Sequence, residues 1–329
     1  MKEMKKINLQ LFADMKTNVT SDSGLSVEMK TFYDMSLIDE AQPNLIHDQF
    51  AQKRPIPANG GKKIEFRKFA SLPKALEPLT EGVTPDGKKL SVSTIEAEVS
   101  QYGDYIVQSD VLELTSIDNT IVEATKILGN QAGLTLDTIT REVLHSGLDA
   151  VYAPKADGTA VTSREDLDNT CVLTVDLIKQ VAAFLKKNNA PKIDGSYVAI
   201  IHPYVAYDLM SNPEWIDVHK YANPENIYEG EIGKIAGVRF IETSEAKVYE
   251  GGVFGVLFFG ANAYGVTEIS GGGLETIIKQ KGSAGTADPL DQRSSIGWKA
   301  MKTAEILVEP YMVRVECKSK LSNKITEAN

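Results

Sequence analysis

Apolar positions along the chain switch between a period near two and a period near 3.6, and the switches divide it into segments. Residues 1–24 lack a sustained period and end in Thr20-Ser21-Asp22-Ser23-Gly24, a loop composition. They read as a flexible arm. From Leu25, the residues Val27, Met29, Phe32, Tyr33 and Leu37 predict a short amphipathic helix that stops before Pro43. Residues 62–75 and 88–108 both read as strands. The first carries Ile64, Phe66 and Phe69, and the second alternates through Leu90, Val92, Ile95, Val99, Tyr105 and Val107. Pro73, Pro78, Gly82 and the turn signal Pro85-Asp86-Gly87 lie between them. Arms of about 14 to 20 residues at about 3.3 Å each would span roughly 45 to 65 Å. A compact chain of this length has a radius of gyration near ~20 Å. An isolated two-stranded ribbon is only marginally stable in water. If this one projects, the surface it rests on belongs to another subunit.

A long helix is predicted next. Thr120 and Glu123 have capping-box spacing, a stripe runs through Ile121, Ala124, Leu128, Ala132, Ile139, Val143 and Leu144, and Gly147 is a C-terminal stop. Gly129 and Gly133 inside it cost about 1 kcal/mol each against Ala. They predict either a bend or something packed very close. Residues 151–170 read as loop or hairpin. Thr174 then opens a helix through Leu177, Ile178, Val181, Phe184 and Leu185 that ends at Lys186-Lys187-Asn188-Asn189 before Pro191. Tyr197–Ile201 has the unbroken apolar run of a buried strand, and His202-Pro203 starts a short helix with Pro at its first position. Further strands are predicted at 238–243, 253–259, 262–268, 274–280, 296–308 and 311–317. Strands and helices mix without strict βαβ repetition, which makes the class α+β. No internal repeat is visible.

Composition narrows the function classes. The 329 residues are 42% hydrophobic and 24% charged, ordinary for a globular chain, with a formal charge of −10. That charge argues against sequence-independent nucleic-acid binding over a broad surface, which needs clustered Lys and Arg. It leaves room for an acidic wall along which enclosed DNA slides. Cys171 and Cys317 are far apart with no CxxC, so two free thiols are expected rather than a disulfide framework or zinc site. No apolar run approaches the roughly 20 residues that cross a bilayer. The basic start Met1–Lys6 and the mildly apolar Ile7–Ala13 are interrupted by Asn8 and Gln10 and followed by Asp14 and Lys16, so no export signal is read and folding in cytoplasm is expected.

Candidate chemistry is sparse. Gly82–Lys89 fits GxxxxGK, but Lys89 stands where a Mg²⁺-binding Ser or Thr is required, and Pro85-Asp86-Gly87 is turn chemistry. His47, His145, His202 and His219 show neither HExxH nor any other metal spacing. Ser71–Lys74 and Ser244–Lys247 match SxxK without partner motifs. Gly251-Gly252 and Gly271-Gly272-Gly273 read as turns. No catalytic residue, cofactor or metal is expected.

In that order of parts the chain resembles the major capsid proteins of tailed phages, whose fold was first seen in the Hong Kong ninety-seven phage, and within them the branch related to the phage N4 capsid protein. Asn8-Leu9-Gln10-Leu11-Phe12-Ala13 is similar to the opening of head proteins from phages and prophages of Gram-positive hosts. Glu81-Gly82-Val83-Thr84-Pro85 resembles the turn of that branch's extended loop. His202-Pro203, Asp208-Leu209, Trp215, Gly233 with Gly237, and Gly297-Trp298-Lys299 resemble its later landmarks. The resemblance implies a flexible N-terminal arm at 1–24, a short helix and connector at 25–52, and an extended β-hairpin loop at 53–108. It further implies a peripheral domain with a spine helix at 109–170 and 296–329, and a mixed α/β axial domain at 171–295. The implied function is self-assembly into pentamers and hexamers of an icosahedral shell around phage DNA, assembled in the host cytoplasm. The partners are other copies of the chain, with separate scaffold, portal and decoration proteins allowed and no membrane. Phe66, Arg67, Lys68, Glu81, Lys88 and Lys89 of the loop are the expected intersubunit contacts. The alternatives are another virion protein such as a tail-tube subunit or, from a different class, a phosphate-binding enzyme using Gly82–Lys89.

Overall fold

Residues 44–55, 62–69, 87–115, 120–147, 150–215, 233–268, 274–283 and 288–322 are described by a computed structural model, with the isolated positions 37, 39–41, 72, 74–76, 78, 81, 82, 84, 285, 328 and 329. The expected arm at 1–24 and most of the helix expected from Leu25 lie outside them. The elements in order are β1 (Gln52–Arg54), β2 (Lys63–Phe69), β3 (Val92–Glu98), β4 (Ser100–Ser109), α1 (Asp110–Thr115), α2 (Thr120–Ser146) and β5 (Ala150–Tyr152). Then come α3 (Val175–Lys187), β6 (Tyr197–Ile201), α4 (Pro203–Met210), β7 (Lys234–Ile235), β8 (Val238–Glu242), β9 (Val248–Tyr249) and β10 (Val253–Phe259). The chain closes with β11 (Tyr264–Thr267), β12 (Leu274–Lys279), β13 (Arg293–Lys302), β14 (Ala304–Ile306) and β15 (Met312–Cys317).

The unbroken apolar runs become the centre of the larger sheet, ordered β5-β15-β10-β6-β8-β7 with β9 also on β10. Every residue of β6 and β10 is buried, because both faces of the sheet are covered. Tyr197, Ala199, Phe254, Val256 and Phe258 meet Leu177, Ile178, Val181 and Leu185 of α3 and Val205 and Leu209 of α4. Val198, Ile200, Leu257 and Phe259 turn the other way, toward Leu144 near the end of α2. A strand buried on both sides has no polar alternation, and that is why these runs read as continuous.

α2 is the spine expected from the stripe, and it bridges two sheets. Its first half packs Ala124, Leu128, Ala132 and Leu136 on Leu274, Ile296, Trp298 and Ala300 of the antiparallel sheet β12-β13-β4. Gly129 and Gly133 are where the helical residues around Leu37 and Ala41 cross it. A Cβ on Gly133 would lie 2.5 Å from the Ala41 carbonyl oxygen, and one on Gly129 would lie 2.9 Å from that of Leu37. Close approach, not a bend, accounts for both glycines.

α4 begins as its sequence suggested. His202 is the N-cap, Pro203 is the first helical residue, and the His202 Nδ1 accepts from the Tyr204 backbone N–H at 3.1 Å. Burial against Phe254 pushes this imidazole down to about 4. The unfolded chain takes up a proton near pH 6.5 that the native cap refuses, so stability is full above pH 6.5 and falls as the pH drops toward about 4. His202→Asn keeps an acceptor that does not titrate. Its melting temperature should fall less steeply than wild type across that window, and parallel acid limbs would refute the assignment.

Candidate assembly interface

The hairpin is built from two strands of alternating character. β2 and β3 pair antiparallel from Lys63↔Glu98 to Phe69↔Val92. The pairs Ile64↔Ala97 and Phe66↔Ile95 turn inward and form a cluster with Leu307. Lys63, Glu65, Arg67, Glu96 and Glu98 turn outward. Glu65 lies directly opposite Glu96, an unfavourable register. It is relieved by the Lys63 Nζ at 2.6 Å from Glu96 and by Arg67 at 4.0 Å from Glu65.

The structure differs from two expectations for this loop. The ladder is seven residues a side, because the chain leaves it after Glu98 and residues 100–109 join β13 instead, from Ser100↔Lys302 to Ser109↔Arg293. The second arm is therefore two strands with different partners, and β4 belongs to the spine-helix sheet. Phe66, expected on a neighbour, is only 1% exposed in its own chain, with its ring against the backbone of Gly265. The base of the hairpin thus packs on its parent body. Arg67, Glu81, Lys88 and Lys89 are exposed, and the Lys68 side chain lies outside the described residues.

Beyond the pair Phe69↔Val92 the described apolar positions lie in solvent. Leu72 is 54% exposed, Leu76 82% and Leu90 63%. A second uncovered apolar surface lies on the outer face of β12-β13-β4, where Tyr105, Val107, Ile277 and Met301 are exposed. Gly297 sits between Tyr105 and Ile277 in register, and its missing side chain opens a trough of about 350 Å³ floored by the sheet. The inner face of the same sheet is held by Gln131 of α2, which accepts from the Trp298 indole N–H at 3.3 Å and donates to Asp104 at 2.7 Å.

Beneath these surfaces a buried polar network ties the connector to the spine. His47 donates its backbone N–H to Asp137 Oδ1 at 2.7 Å, and its Nδ1 lies 2.7 Å from Asp137 Oδ2. Thr140 donates to Asp48 at 2.6 Å, Lys302 pairs with the same carboxylate, and the Tyr264 hydroxyl donates to the His47 carbonyl. Burial pushes the Lys302 amine below its ordinary range, opposed by Asp48, and pushes the Tyr264 phenol well above its own. A second network joins the end of the spine to β15. The Arg164 guanidinium grips the buried Glu316 through two 2.7 Å bonds and lies 3.7 Å over the Tyr249 ring, whose hydroxyl is 3.1 Å from His145 Nδ1.

The motifs read from the sequence stand apart from one another among the described residues. Gly82 is in a turn at φ 77°, and Lys88 and Lys89 follow in exposed non-helical chain, with only strands described between Lys89 and α1, so no helix presents its amides to phosphate there. His47 pairs with Asp137, His145 lies beside Tyr249 and His202 caps α4, while His219 lies outside the described residues. No cluster of metal-ligating side chains occurs among the described residues. Cys171 and Cys317 are both free and buried.

Residues 118–269 match the protein family described as phage capsid protein. No protein of curated function matches. Among solved structures, the capsid of cyanophage P-SCSP1u is similar with a TM-score of 0.62 and 15% identity, over 82% of this chain and 87% of that one. The cyanophage Pam1 capsid subunit also gives 0.62, at 12% identity over 96% of this chain and 100% of that one. The capsid of Ralstonia phage GP4 gives 0.59 at 13% identity, over 83% and 86%. The α+β fold is therefore that of tailed-phage capsid proteins.

Proposed function

We propose that this chain, with the tailed-phage capsid fold and a phage capsid family segment at 118–269, is the major head protein, closing with copies of itself into the pentamers and hexamers of an icosahedral shell. It is a structural protein of the virion and not an enzyme. The observation that carries the reading is the pair of uncovered surfaces. A loop tip with Leu72, Leu76 and Leu90 in solvent, and a sheet face with Tyr105 and Ile277 around a trough, lack cover in one copy. Large exposed apolar patches mark interaction sites. Head-to-tail contacts between unlike patches close into rings when the rotation permits. The tip of one subunit lies on the sheet face of the next. Exposed Arg67, Glu81, Lys88 and Lys89 set the register, each pair contributing only about 0 to 1 kcal/mol.

The landmarks His202-Pro203, Trp215 and Gly297-Trp298-Lys299 support a place in the branch related to phage N4. The arm, extended loop, peripheral and axial domains keep the bounds given above, with β4 moved to the peripheral part. Assembly takes place in the host cytoplasm, and scaffold, portal and decoration proteins are the further partners this role calls for. The shell encloses DNA without sequence-specific contacts, in keeping with the charge of −10. Electron microscopy of the expressed chain should show closed polyhedral shells. Open tubes or flat sheets would favour a tail-tube or surface-layer subunit instead.

A further inference from the structure

β5 ends the seven-stranded sheet, so its outer edge has no partner strand among the described residues. Beside that edge a groove of about 450 Å³ runs between β5 and α3, floored by Met312 and Val313. Leu177, Val181 and Phe184 form its wall at the i, i+4, i+7 spacing of one helical stripe. Its rim is unfinished: Phe184 and Val151 are 46% and 41% exposed. An open strand edge beside an apolar groove is the arrangement that accepts an added strand, with main-chain bonds for affinity and pockets for alternate side chains.

A segment of that description lies outside the described residues. Ile7-Asn8-Leu9-Gln10-Leu11 alternates apolar and polar positions, which as a strand puts Ile7, Leu9 and Leu11 on one face about 7 Å apart. Lys2, Lys5 and Lys6 precede it, and Glu309 stands at the groove to meet them. The connection from Leu11 to Leu37 can stretch to roughly 85 Å at about 3.3 Å per residue, so reach does not limit it. Leu37 and Ala41 pack on Gly129 and Gly133 in the first half of α2, the half that rests on β12-β13-β4, whereas the groove lies on the α3 side of the seven-stranded sheet. The parent subunit's own groove is therefore on a different sheet from the point where residue 37 joins the body.

We infer that Ile7–Phe12 of one copy docks as an added strand on β5 of a neighbouring copy, with Ile7, Leu9 and Leu11 in the groove against Val151, Val181 and Phe184. This rests on the chain assembling with itself, and two measurements separate the two claims. The first is anisotropy of a labelled peptide of residues 4–14 titrated onto the full chain. Saturable binding should weaken at least tenfold with Phe184→Glu, and be unchanged by Tyr207→Glu at a comparably exposed site on α4. No binding, or indifference to Phe184→Glu, overturns the docking whether or not shells form. The second is oxidation of assembled Leu9→Cys/Phe184→Cys chains, where a disulfide-linked multimer ladder is expected and the Leu9→Cys/Tyr207→Cys control should give none. A crosslink confined within one chain, or equal ladders from both pairs, overturns it. Shells that form without the ladder leave the head-protein reading intact and sink this one.

Discussion

A chain in which Asn-Gly replaces residues 70–91 should fold, stay soluble and yield shells reduced at least a hundredfold. The cut follows the last cross-strand pair, Phe69↔Val92, and a two-residue Asn-Gly turn suits the twist of the hairpin. Leu72, Leu76 and Leu90 are largely exposed in their own subunit, so removing these three costs the monomer little packing. Shortening the loop from twenty-two residues to two lowers its closure entropy, at about 0.6 kcal/mol per doubling of length, by roughly 2 kcal/mol. The melting temperature should therefore hold or rise. Assembly moves the other way, because burying three leucines at about 1.5–3 kcal/mol each, scaled by their exposure, is worth roughly 3–6 kcal/mol per contact. At about 1.4 kcal/mol per decade this is two to four decades of association. A cut at 62–100 would be a poorer test, since it strips Ile64, Phe66 and Ala97 from Leu307 and takes β4 residue Ser100 from Lys302. Sedimentation and negative-stain imaging read the outcome, and particles at wild-type yield would end the role given to the tip.

The same stretch shows what was legible in the sequence and what was not. The strand character of 62–75 and 88–108 is plain from Ile64, Phe66, Ile95 and Tyr105, because local periodicity reports which side of a strand is buried, although the ladder stops at Phe69 and resumes at Val92. It carries nothing about which strand is the partner. β3 and β4 are separated by Val99 alone, yet one pairs with β2 and the other with β13 nearly two hundred residues later. Phe66 was misplaced for the same reason: its pocket is the bare backbone at Gly265, and no pattern near position 66 announces it. Helix 175–187 and the His202-Pro203 start were readable because caps and stripes are set within a few residues. The buried polar network leaves only one local mark, Asp137 and Thr140 as polar residues on the buried side of the spine. Polar groups at such positions demand partners, and that was the available signal. Their identities, His47 and Asp48, lie some 90 residues away and could come only from the fold.

Replacing Asp48 with Ala should be among the most damaging single changes in the chain. The Lys302 amine is 1% exposed, paired with the Asp48 carboxylate that also accepts from Thr140. Removing one partner of a buried pair strands the other charge and costs about 3–5 kcal/mol, whereas replacing both with apolar groups of similar size is often neutral. Urea unfolding should therefore show that loss for Asp48→Ala and most of it recovered in Asp48→Leu/Lys302→Met. Proton linkage supplies an independent check. Burial already holds the Lys302 amine below 10.5, with Asp48 the largest opposing influence, so the substitution pushes it lower still. The unfolded chain then binds the proton that the native state releases, and stability rises with pH between the depressed native value and 10.5. The deficit of Asp48→Ala should accordingly narrow from pH 7 toward pH 10, and a deficit constant over that range would mean the stranded charge is not its cause. Asp48 lies four residues before β1, Thr140 is on the spine and Lys302 ends β13, so the pair fixes how the connector leading to the hairpin leaves the body. A subunit that survives the loss of Asp48 at low temperature should still assemble poorly, because a tip aimed by a loosened base meets the neighbouring sheet in too many orientations.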